Sequence, residues 1–100
     1  SNPYGNPVIE IVAPERLRGK LESVFNEYDI NPQGHGVFPQ NPSFEEQYPE
    51  VSDELVSYQF YLEDPEDLAS SGYALDRIFK ELRDEPVIYT TAPSVQVSIP

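Results

Sequence analysis

The sequence predicts a single α+β domain of the ferredoxin-like split βαβ kind, a four-stranded antiparallel sheet with two helices on one face. Three observations carry that prediction. Two amphipathic stretches of helical period lie at 14–28 and 65–82, each following a β-rich run. Leu55 to Glu63 alternates strictly between two sets of side chains, as a strand with two unequal faces does. The order strand, helix, strand, strand, helix, strand then admits right-handed crossovers that put both helices on the same side of the sheet.

Val8-Ile9-Glu10-Ile11-Val12 is the first strand, with Ile9 and Ile11 on one face. Ala13-Pro14-Glu15 opens a helix, proline suiting its first position and glutamate its positive end. Leu17, Leu21, Val24, Phe25 and Tyr28 form its apolar stripe, and Asp29 to Pro32 end it. Residues 31–50 hold four prolines, and only Gly36-Val37-Phe38 reads there as a brief second strand. A connection this long is functional or mobile more often than filler.

In the third strand, Val56, Tyr58, Phe60 and Leu62 alternate against Leu55, Ser57, Gln59 and Tyr61. Leu55 and Tyr61 on the second face imply a cover there, from the tail or from another chain. Asp64-Pro65-Glu66-Asp67 caps a second helix whose core stripe is Leu68, Leu75, Ile78, Phe79 and Leu82. Ser70-Ser71-Gly72 weaken its start, so a regular helix is expected only from near Tyr73. Val87 to Thr91 is the fourth strand. Val95, Val97 and Ile99 alternate with polar residues, which predicts an extra C-terminal strand paired within the chain or across a homodimer. Residues 1–7 read as linker or tag remnant, and 8–100 as the domain.

Composition narrows function more than any motif does. Eighteen acids against six bases leave a net charge of −12. That charge disfavours a phosphate backbone or an anionic membrane surface and admits a basic protein partner or a cationic ligand. No apolar run approaches the roughly 18 residues that span a bilayer. Without cysteine there is no disulfide and no thiolate chemistry. Between Lys20 and Arg77 there is no Lys or Arg, while that stretch holds thirteen acids. In a split βαβ fold the bases Arg16, Lys20, Lys80 and Arg83 gather at one end, a candidate anion-binding pole. Glu63, Asp64, Glu66 and Asp67 then lie at the other, with Tyr61 and Tyr73 as exposed aromatics of a candidate partner-binding surface.

Catalytic and metal signatures are missing. His35, the single histidine, sits in Gln33-Gly34-His35-Gly36 with no nucleophile or orienting acid at a useful spacing. Glu63 to Asp67 lacks the alternating ligands and central glycine of a calcium loop, and the glycines match no nucleotide fingerprint. No cofactor is expected.

Residues 8–30, a strand, a turn and an amphipathic helix ending in Tyr28-Asp29-Ile30-Asn31, resemble the opening half of ACT regulatory domains and, less closely, of PII-type signalling proteins. The resemblance implies a small-ligand-sensing regulatory role and carries over no site residue. From the residues themselves the expectation is a non-enzymatic acidic module acting through protein–protein contacts. Beside it stand ligand sensing of ACT or PII type and neutralisation of a basic partner by an inhibitor or immunity-type protein.

Overall fold

The structure is a computed structural model and describes residues 7–61 and 65–93. It contains β1 (Pro7–Pro14), a single 3-10 turn (Glu15–Leu17), α1 (Arg18–Glu27), β2 (Gly34–Phe38), α2 (Pro42–Gln47), β3 (Leu55–Tyr61), α3 (Pro65–Glu81) and β4 (Ile88–Pro93). The strands form one antiparallel sheet in the order β2-β3-β1-β4, the split βαβ topology that the sequence predicts. Glu63, Asp64 and the tail at 94–100 lie outside the described residues, so the expected C-terminal strand does too.

Register sorts the sheet residues into two faces, because partners across a ladder point the same way. Ile9, Ile11 and Ala13 share the inner face with Val56, Tyr58 and Phe60. There they meet Leu21, Val24 and Phe25 of α1, Leu75 and Ile78 of α3, and Leu82 just past it in the main core. Phe25 packs edge-on against both Tyr58 and Phe60, at centroid distances of 5.0 and 5.3 Å. Phe79 stands at the margin of this core, its ring 4.0 Å from that of Tyr89.

α1 stops through a Schellman motif. Asp29 adopts φ 54°, its N–H donates to the Asn26 carbonyl, and the Ile30 N–H reaches back to Phe25. Ile30 and Phe25 are both buried in the core, which supplies the apolar contact that accompanies this ending.

Two expectations need correction. α3 is helical from Pro65, not from near Tyr73, because Pro65 suits a first turn and the buried stripe of Leu75, Ile78 and Leu82 outweighs the propensity cost of Ser70-Ser71-Gly72. The proline-rich connection is also no bare loop. It contains α2, capped by the Asn41 side chain accepting from the Phe44 N–H at 2.8 Å, with Pro42 following the cap. Phe44 and Val51 bury against Leu55 on the outer face, with Val12, Tyr48 and Ile88 at the edge of this second core. Leu55 therefore gets its cover from the chain's own connection, whereas Tyr61 remains exposed. The Gln40 amide donates to the Val51 and Asp53 carbonyls and ties the two ends of the connection together.

Candidate functional site

Where α1 passes the edge of the sheet, the side chains leave an open cleft of about 420 Å³. Glu22, Ser23 and Asn26 line it from α1, Asn31 and Pro32 from the turn beyond, His35 from β2 and Tyr58 from β3, with Phe25 at its floor. The Tyr58 hydroxyl donates to the Glu22 carboxylate at 2.8 Å. Burial, reinforced by that bond, pushes the phenol well above its ordinary range, so it stays protonated and acts as a fixed donor. The His35 ring lies roughly parallel to that of Tyr58, with centroids 6.4 Å apart. Glu22 is held by a donor, His35 leans on an aromatic face, and two amides offer both donors and acceptors. Such a lining suits recognition of a small polar molecule. Among the described residues no lysine or arginine lines the cleft.

His35 is thus an edge-strand residue of this cleft, not a plain loop residue. Glu22, Asn26, Asn31 and Tyr58 are invisible as a group in the sequence. Only the pairing of β2 beside β3 brings His35 opposite Tyr58.

Three of the four bases expected at one pole are paired with acids. Lys20, near the start of α1, contacts Glu85 just past α3 at 2.5 Å. Arg16 holds Asp53 of the β2–β3 connection at 2.6 Å, and Lys80 holds Asp76 at 3.1 Å. Arg83 lies in the turn after α3 and is exposed. Arg16, Lys20 and Lys80 are therefore engaged with carboxylates in pairs of about 0–1 kcal/mol each, and an incoming anion has to compete with them.

Of the proposed partner surface, Tyr61 and Tyr73 are placed on different faces of the sheet. Glu66 and Asp67 fall in the first turn of α3. Tyr61 ends β3 on the outer face, and its N–H donates to the Gln33 side chain at 2.9 Å. Tyr73 is exposed on α3, on the other side of the sheet, where its hydroxyl accepts from Arg77 at 2.9 Å. Val37 and Phe38, on the edge strand, are further exposed apolar residues that the sequence pattern does not single out.

No family profile matches the chain, and neither does any curated protein sequence. Solved structures do. A PII-like signalling protein of Thermus thermophilus superposes with a TM-score of 0.56 at 13% identity, over 90% of this chain and 86% of the other. CPII of Thiomonas intermedia, a nitrogen regulatory PII-like protein, gives 0.55 at 11% identity in its apo form, over 97% of this chain and 96% of that one. Its form bound to ADP, AMP and acetate gives 0.58 at 13% identity, over 97% and 92%. At such identities the likeness is one of architecture, and the chain has the ferredoxin-like fold that PII-like proteins share.

Proposed function

We propose that this domain is a small-ligand-sensing regulatory module of PII type and not an enzyme. The observation that carries the reading is the cleft beside α1, a built polar recess on a fold whose solved neighbours include CPII with ADP and AMP bound. Its titratable groups, Glu22, His35 and Tyr58, include no activated nucleophile, and Tyr58 is held in its neutral form. Binding, not turnover, is what this lining supports. His35 shares β2 with the exposed Val37 and Phe38, so a ligand touching that strand acts on the same element that offers apolar surface to a protein partner.

A thermal-shift panel tests the reading with ADP, AMP, bicarbonate, acetate, neutral amides and small amines. A ligand present at 100 times its dissociation constant adds about 2.7 kcal/mol of stability. At least one member is expected to raise the melting temperature of the wild type, and to lose that effect in the variant N26A/H35A. A panel in which no member stabilises the wild type, or in which N26A/H35A responds equally, overturns it.

A further inference from the structure

The outer face of the sheet carries a second recess, of about 350 Å³, on the opposite side from the cleft beside α1. Val12, Phe44 and Ile88 give it an apolar lining, with Asn41, Pro42 and Ser43 at the start of α2 beside them. Glu10, half-buried in the middle of β1, also lines it, with Thr90 opposite on β4. We propose that this recess binds a small organic cation, an ammonium or guanidinium group carried on an apolar body.

Three observations support it. Glu10 is a positioned carboxylate. Its Oε2 accepts from the Ser57 hydroxyl at 2.8 Å and from the Gln59 amide at 3.2 Å, and that amide also donates to Ser57. Ser57 is fully buried, and the Gln59 side chain lies so close over Gly34 that a Cβ there would sit 2.5 Å from its amide oxygen. Oε1 has no hydrogen-bond or ion-pair partner among the described residues.

The second observation is charge. Among the described residues no basic one lines the recess, and Arg16, Arg18, Lys20 and Lys80 are each paired with an acid elsewhere. A half-buried carboxylate without a counter-charge favours a cation from solution, and a net charge of −12 raises the local concentration of such cations.

The third is the lining itself. A bare metal ion seeks several oxygen ligands, and no group of three His, Cys, Asp or Glu residues assembles among the described residues. One carboxylate facing Val12, Phe44 and Ile88 instead matches a single charged head followed by an alkyl or aryl body.

The site is independent of the cleft beside α1, and so is its test. The probe is n-pentylammonium, with pentan-1-ol and pentanoate as neutral and anionic controls, followed by amide shifts in two-dimensional NMR of the full chain. Shifts are expected at Glu10, Val12, Phe44, Ile88 and Thr90, with pentylammonium binding about tenfold or more tightly than either control. Glu10→Gln keeps an acceptor for Ser57 and is expected to abolish the preference for the cation. Thr90→Lys changes an exposed residue, supplies a resident ammonium beside Glu10, and is expected to block the probe. Equal binding of pentylammonium and pentanol, or unaltered binding in Glu10→Gln or Thr90→Lys, overturns the proposal. Shifts confined to Glu22, Asn26 and His35 overturn it as well, while leaving the cleft beside α1 as a site.

Discussion

Asp29 shows how one residue answers both to its sequence and to its fold. The Schellman ending of α1 requires a left-handed residue, and aspartate tolerates that region better than any β-branched side chain. Asp29→Val is therefore expected to cost about 1–2 kcal/mol, whereas Asp29→Gly is expected to be neutral or stabilising, both measured by urea unfolding. Tyr58 gives a second test at this scale. Its proton is held more tightly in the folded chain, by burial first and by Glu22 second. A raised phenol leaves stability untouched below its ordinary value of about 10, and stability then falls with rising pH above it as unfolded Tyr58 ionises first. Absorbance titration should find Tyr58 still protonated well above its ordinary range, and Tyr58→Phe should lose stability less steeply above about pH 10 than the wild type.

Among the elements, β3 is the most legible in the sequence and α2 the least. Strict alternation from Val56 to Phe60 specifies a two-faced strand, and each of these side chains lands where the period puts it. α2 has six residues and buries a single one, Phe44, so no periodicity can announce it. Its signal is local, an asparagine cap followed by proline, and the apolar outer face at Leu55 is the hint that something covers it. β2 reads shorter from the sequence because Gly34 contributes no side chain to a pattern, although the Gln59 amide lies close over it. The two recesses are illegible for a related reason. Glu10 reads as the wet side of a strand until register sets it beside Ser57 and Gln59, positions 47 and 49 residues away. If α2 is a latch held by Phe44, then Phe44→Ala should cost about 3–5 kcal/mol, less if the connection lifts as a unit. Amide exchange should rise across 40–53 while β1 and β3 keep their protection. Unchanged exchange there would show that Phe44 does not hold the connection down.

Charge is the property of the whole molecule. Eighteen acids and six bases share one small body, and at least four of the bases are already engaged by neighbouring carboxylates. A 100-residue domain has a radius of gyration of about 13 Å, well inside the roughly 30 Å screening length of 10 mM salt and beyond the roughly 8 Å of 150 mM. Self-repulsion should therefore be felt across the whole fold at low salt and only locally at physiological salt, so the melting temperature should rise between the two. A protein stabilised mainly by its surface ion pairs would show a fall instead. The main core, built from Phe25, Tyr58, Phe60 and the facing residues of α1 and α3, does not respond to salt in this way.

The sheet order has a last consequence. β1 and β4 are neighbours, and their register sets Pro7 opposite Pro93, so the described chain enters and leaves the sheet at one corner. Neither proline has an N–H to give to that ladder. A body with both attachment points side by side behaves as a cassette. A segment of residues 7–93 set into a surface loop of a host would hold that loop's ends a single strand spacing apart, about 5 Å.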